Sequence, residues 1–255
     1  MKKLNTRKIR SFKKSLEKRS LSMLTCYDFQ TAKMLQETTL DMILVGDSLG
    51  NVILGYDTTV KVSITEMEIF SSAVKRGAEN KFVIADLPFG TYNTLEDGLK
   101  NATSLFQKSG CEAIKLEGAF DHQLALIKRL TQVGIPVIGH IGLTPQSVHE
   151  QGGYYVHGKD DKSSKNLILQ AMELEKNGCF CVVLECVEKE VAKQITGKLS
   201  IPTIGIGSGT DVDGQVLVIN DLLKLGSDYP PSFCKPVIDL YTIKKEAINK
   251  YLEKL

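Results

Sequence analysis

Short runs of Val, Ile and Leu recur along the chain at intervals that leave room for a helix, and most stop at a charged or metal-capable side chain. The runs at 21–27, 42–47, 81–86, 112–117, 136–141, 180–185, 202–206 and 214–219 read as strands. They are short, continuously apolar and rich in β-branched residues, as strands buried on both faces should be. Between them lie segments with helical spacing, at 29–39, 63–78, 94–110, 119–134, 163–178 and 188–199. Several begin at Ser, Thr or Asp and end in Gly. In SITE, Ser63 can cap a helix and Glu66 can reach back to complete a capping box. Gly110, Gly134 and Gly178 mark helix ends just before strands.

Eight strand–helix units without hairpin signals imply parallel strands joined by crossover helices, and the count matches a (β/α)8 barrel. A doubly wound open sheet is the runner-up, but no G-x-G-x-x-G opens the first helix. The late GIGSG at 205–209 suits an anion-binding end of a barrel better. With no low-complexity segment or Pro/Ser linker, residues 1–255 read as one domain. It is expected to be flanked by an N-terminal amphipathic helix over 1–19, with Leu4, Ile9, Phe12 and Leu16 on its packing face, and a C-terminal helix over 237–255.

Composition narrows the function classes. The chain has 255 residues, 42% hydrophobic and 24% charged, with a net charge of +2. That balance is ordinary for a globular enzyme and implies no general attraction to nucleic acid or membrane. The basic residues gather in KKLNTRKIRSFKKSLEKR, which reads as a solvated helix face. No window approaches the roughly 18 apolar residues that span a bilayer, and no secretory signal follows the basic stretch. The six cysteines, Cys26, Cys111, Cys179, Cys181, Cys186 and Cys234, read as free thiols in a reducing compartment. The C-x-C at 179–181 sits in or beside a strand rather than a metal-binding loop, and its two thiols are expected to face one way.

Strand ends of a parallel barrel meet at one rim, where barrel enzymes place their active sites. Asp47, Asp86, Lys115, Glu117, His140 and Glu185 all lie at such ends. Asp47 and Asp86 are hard oxygen donors on neighbouring strands, and Glu117 on the next can complete a set suited to Mg²⁺. Each can equally be a helix cap or a solvated rim carboxylate. Lys115 and Glu117 are two apart, so they share a face, and burial under a helix would be costly for the lysine. The pair is therefore expected inside the barrel, either to bind an anionic substrate or as a structural ion pair. His140 can hydrogen-bond substrate or serve as a core histidine. Glu185, flanked by thiols and aliphatics, suits a general base with a raised pKa, or a strand-end cap.

In order, LVGDSLG (44–50), ADLPFGTY (85–92), KLEG (115–118), GHIGLTPQS (139–147), GGYYVHGK (152–159), VLECV (183–187) and IPTIGIGSG (201–209) closely resemble the ketopantoate hydroxymethyltransferase family of the phosphoenolpyruvate/pyruvate barrels. The resemblance runs from about residue 18 to about residue 235, with the ordered set of blocks far more specific than any one of them. It implies one-carbon transfer from 5,10-methylenetetrahydrofolate to 3-methyl-2-oxobutanoate, giving 2-dehydropantoate for pantothenate and coenzyme A synthesis. It further implies Mg²⁺ bound by Asp47 and Asp86, with Glu117 beside them as a ligand through its position in KLEG. Asp47, Ser48, Asp86 and Lys115 would hold the keto acid, and Glu185 would accept the proton. A cytoplasmic homodecamer is also implied. The alternative is a Mg²⁺-dependent carbon–carbon lyase of the isocitrate lyase/phosphoenolpyruvate mutase type. Such enzymes use a catalytic Cys in a K-K/R-C-G-H-type loop, which this chain lacks.

Overall fold

A computed structural model describes residues 3–14 and 19–255. Eight parallel strands close into a barrel in sequence order: β1 (Leu21–Thr25), β2 (Met42–Val45), β3 (Phe82–Asp86), β4 (Ala113–Glu117), β5 (Val137–Gly142), β6 (Cys181–Glu185), β7 (Thr203–Ile206) and β8 (Gly214–Leu217). Each falls within two residues of its expected bounds. The barrel shuts where β1 runs beside β8, with Leu21 opposite Gly214. A Cβ at Gly214 would sit 2.5 Å from the Leu21 carbonyl oxygen, so closure needs a glycine there.

The two faces of each strand serve different layers. Inward residues, among them Met23, Met42, Phe82, Ile84, Ile138, Val183 and Ile204, fill the barrel. Outward residues such as Ile43, Val83, Ile114, Leu116 and Val182 pack under the helices. The alternation Ala113 in, Ile114 out, Leu116 out puts Lys115 and Glu117 on the inward face. The helices are anchored by local chemistry. Ser63 and Glu66 form the capping box of Ile64–Gly77, Thr94 caps Leu95–Ser109, and Gly110 ends that helix with φ +68°. Cys181 packs inside the barrel while Cys179, just before β6, joins the helix-facing layer. The two thiols do not share a face, because Cys179 precedes the regular strand.

The N-terminal segment departs from the expected helix over 1–19. It forms one short α-helix, Thr6–Arg10, and a 3-10 turn, Phe12–Lys14. Leu16 lies outside the described residues. Ile9 is fully buried in the inner cluster, with Leu4 and Phe12 packed against it. A segment that reads as a solvated basic helix therefore supplies the floor of the barrel. Lys13 fastens it, with Nζ 2.9 Å from the Leu199 carbonyl and 3.3 Å from Asp213. At the other end of the chain, the C-terminal helix spans Leu240–Leu252 and buries none of its residues. Among the described residues no helix is long and apolar enough to cross a membrane.

Removing the floor plug should destabilise the whole barrel. Ile9→Ala is expected to cost about 2–5 kcal/mol, typical of a buried large-to-small change. Urea unfolding measures it, and a loss under about 0.5 kcal/mol, the size of an ordinary surface substitution, would mean that the plug bears no packing load.

Candidate active site

At the C-terminal rim the structure brings Asp47, Asp86, Lys115, Glu117, His140 and Glu185 together. The first five are buried, and the Glu185 side chain is 18% exposed. Asp47 lies just past β2, and its main-chain N–H donates to Asp86 Oδ2 at the end of β3 (3.2 Å). Lys115 Nζ sits 2.8 Å from Asp86 Oδ1. His140, at the inward face of β5, stands between two carboxylates of neighbouring strands. Its Nδ1 is 3.3 Å from Glu117 Oε1 and its Nε2 is 3.3 Å from Glu185 Oε2. Neither ring nitrogen makes an aligned hydrogen bond among the described residues, so these contacts are electrostatic. Ser48 shares a 2.8 Å hydrogen bond with the Tyr27 hydroxyl.

Burial and mutual charge set the protonation of this group. Burial pushes the Asp47 carboxyl well up, and the nearby Glu117 and Asp86 charges add to that. Burial pulls the Lys115 ammonium down, but Asp86, Glu117 and Asp47 outweigh it and hold its pKa above the usual lysine range. Burial and Lys115 oppose a charge on His140, yet Glu117 and Glu185 raise its pKa to about 9. Burial likewise works against a charge on Glu117, and His140, Lys115 and the Gln146 N–H reverse it, lowering its pKa. Burial raises the Asp86 carboxyl as well, with the Lys115 ammonium pulling against it. A divalent cation beside Asp47 and Asp86 would offset the burial that disfavours their charge.

The donor set fits such an ion in part. Asp47 and Asp86 offer hard oxygens side by side, and Mg²⁺ takes few protein carboxylates while keeping several waters. Asp47 Oδ1 accepts no hydrogen bond among the described residues. Glu117 is placed differently from a plain third ligand. Its Oε1 faces His140 and its Oε2 accepts the Gln146 N–H at 3.0 Å. Accordingly, no three His, Cys, Asp or Glu side chains among the described residues are spaced to hold a metal together.

Glu185 has a polar neighbour that its apolar flanks conceal, since His140 arrives from the adjacent strand. The β5–β6 seam that aligns them depends on Gly142. It pairs with Glu185 at φ +95°, and a Cβ there would lie 2.2 Å from the Glu185 carbonyl oxygen. Leu143 N–H donates to that same oxygen at 2.8 Å. Past Glu185, Cys186 adopts φ +48°, and Ser208 accepts from the Val187 N–H and donates to the Leu184 carbonyl. Ser208 thus braces both sides of the Glu185 turn.

Two residues of this site carry no sequence signal of chemistry: Gln146, in the turn after β5, and Tyr92, beyond β3. Both are buried, and the Tyr92 hydroxyl donates to Gln146 Oε1. Their place in GLTPQS and ADLPFGTY was the only pointer to them.

Comparison with known proteins agrees with this architecture. The family described as Ketopantoate hydroxymethyltransferase matches residues 3–255. A 3-methyl-2-oxobutanoate hydroxymethyltransferase of Leptospira interrogans serogroup Icterohaemorrhagiae serovar copenhageni is 47% identical over 235 residues, covering 92% of this chain and 89% of that protein. One from an Exiguobacterium species is 48% identical over 242 residues, covering 94% and 87%. Among solved structures, a phosphonopyruvate hydrolase in complex with oxalate and Mg²⁺ superposes with a TM-score of 0.62 at 9% identity, covering 98% and 97%. A 2,3-dimethylmalate lyase of the PEP mutase/isocitrate lyase superfamily gives 0.61 at 13% identity, covering 99% and 88%. At such identities these two establish the shared fold.

Gly142→Ala tests the seam. The strained φ and the backbone clash together should cost about 2–4 kcal/mol, read by denaturant unfolding. Turnover should fall by more than the fraction unfolded accounts for, and full activity in the folded variant would show that the seam does not set Glu185.

Proposed function

Because the chain belongs to the ketopantoate hydroxymethyltransferase family, we propose that it transfers a one-carbon unit from 5,10-methylenetetrahydrofolate to 3-methyl-2-oxobutanoate, giving 2-dehydropantoate. The observation that carries this reading is the rim cluster, in which a buried Lys115–Asp86 pair faces a Glu117–His140–Glu185 row. The difficult step is loss of the proton from the carbon beside the ketone. Asp47 and Asp86 are the residues that would hold Mg²⁺, with Glu117 behind them. When bound, that ion supplies Lewis acidity that stabilises negative charge on the substrate's keto oxygen.

The protein's own groups do the rest. Lys115, kept charged by three carboxylates, attracts the keto acid's anionic end and faces the developing oxyanion. Ser48, oriented by Tyr27, and His140 add hydrogen bonds to the bound acid. Glu185, less buried than its partners, accepts the C3 proton, with the His140 ring 3.3 Å away to orient it. The resulting carbon nucleophile attacks the methylene carbon of the folate as one of its two C–N bonds breaks. Water replaces the other C–N bond to give the hydroxymethyl group, and the two folate nitrogens take up the protons from C3 and from water as tetrahydrofolate leaves. Phe89, Phe120 and Tyr154 follow β3, β4 and β5 on the same rim, each about half or more exposed, and offer ring faces for the pterin.

The chain acts on small molecules and is assigned to the cytoplasm, in keeping with its six free cysteines. The homodecamer is supported by the Leu240–Leu252 helix, which shows Ile243, Ile248, Tyr251 and Leu252 on its exposed surface.

Incubation with Mg²⁺, methylenetetrahydrofolate and 3-methyl-2-oxobutanoate should yield 2-dehydropantoate, and a folded protein that binds the keto acid without forming product would sink the reading. Glu185→Gln should lower solvent deuterium exchange at C3 by about 10²–10⁴-fold while keto-acid binding persists. Retained exchange would move the base elsewhere. Asp47→Ala should weaken Mg²⁺ and keto-acid binding together, as calorimetry can measure.

A further inference from the structure

Gln146 touches more of the rim than any residue given a role so far. Its side chain is buried, and its Nε2 donates to Asp47 Oδ2 (2.8 Å) and to the Leu87 carbonyl (3.0 Å). Its Oε1 accepts from the Tyr92 hydroxyl, and its main-chain N–H donates to Glu117 Oε2 (3.0 Å). One residue on the β5 turn therefore ties together groups from the ends of β2, β3 and β4.

The amide has only one workable orientation. Both Nε2 hydrogens meet acceptors, and Oε1 meets a donor. Turned over, Oε1 would face the Asp47 carboxylate and the Leu87 carbonyl, while the NH₂ lost both acceptors. The Tyr92 hydroxyl reinforces the observed choice. Its consequence falls on Asp47, where Oδ2 is taken by Gln146 and Oδ1 is left without a hydrogen bond among the described residues. Glu117 Oε2 is likewise engaged by the Gln146 main chain, which turns that carboxylate toward the β5 side.

We propose that Gln146, its amide fixed by Tyr92, is a positioning residue for the divalent cation: it sets the Asp47 carboxylate so that one oxygen stays free for the ion. This rests on the reading that Asp47 and Asp86 hold that cation. Outer partners of this kind orient metal ligands, and their loss typically weakens metal binding. A merely structural brace would instead lower the stability of the metal-free fold and leave ion affinity alone.

Mn²⁺ binding to the full chain without substrates, followed by the electron paramagnetic resonance signal of the free ion, separates the two. Gln146→Met keeps the side-chain length without polar atoms and should weaken Mn²⁺ by about 10–100-fold. Tyr92→Phe keeps the ring and should weaken it by a smaller factor. The double variant should bind no worse than Gln146→Met alone, because Tyr92 acts only through Gln146. Melting in EDTA records the structural contribution separately. Mn²⁺ affinity within about twofold of the parent in both single variants, well short of a usual outer-partner effect, overturns the proposal, as do fully additive losses. Should Gln146→Met fail to fold, unchanged affinity in Tyr92→Phe overturns it and weakened affinity supports it. A parent chain that binds no Mn²⁺ removes the cation site itself, a result distinct from a parent that binds and variants that bind equally well.

Discussion

Four carboxylates share one largely buried end of this barrel, and the layout of the rim follows from how their repulsion is balanced. Asp47, Asp86, Glu117 and Glu185 come from four strand ends, and the barrel's closure allows none of them to retreat far. Lys115 answers Asp86, and the His140 ring answers Glu117 and Glu185 at once. The cations need the carboxylates as much as the reverse, because an ammonium or imidazolium buried here alone would be costly. No ion pair reaches Asp47 among the described residues, and burial together with its acidic neighbours raises its carboxyl.

Much of this was legible in the sequence because a parallel strand buried on both faces announces its end. A run of Val, Ile and Leu that stops at Asp, Glu or His has reached the surface of the sheet. Eight apolar runs therefore indicate the barrel, and the five that stop this way indicate its rim. Strand parity puts Lys115 and Glu117 on one face, and the cost of burying a lysine under a helix turns that face inward, as observed. Contacts between strands are harder to read. Glu185 has aliphatic and thiol neighbours in sequence, yet its closest partner in space is an imidazole one strand away. Glu117 reads as a third metal ligand, and its residue type does not show that a turn N–H bonds one of its oxygens while a histidine faces the other. Gln146 is uncharged and lies in a loop, so nothing in its residue type marks it. In the N-terminal segment the spacing already puts Ile9 on a packing face, but it does not show that this face closes the open floor of the barrel or that the helix stops at Arg10.

The same barrel carries mutases, hydrolases and lyases among solved structures of low identity to this chain. Fold alone therefore does not choose a reaction. What separates the hydroxymethyltransferase reading from the lyase alternative is the content of the strand ends and turns, together with relatives that match nearly the whole chain at close to half identity. A rim that balances buried charge around a 2-oxo acid suits several chemistries that pass through an enolate. The one followed depends on what approaches the carbon nucleophile, and hence on the loops around Phe89, Phe120 and Tyr154.

The barrel floor also bears on the order of synthesis. Ile9 is synthesised well before β8, but the interior it fills does not exist until β8 has paired with β1. The contact of Lys13 with the Leu199 carbonyl closes a loop of 186 residues, about as non-local as this chain allows. Contacts of that kind form late and slow folding. Until β8 has been made, the nascent chain must therefore carry Ile9 and its apolar neighbours uncovered, a period in which shielding by a chaperone matters more for this segment than for the helices behind it.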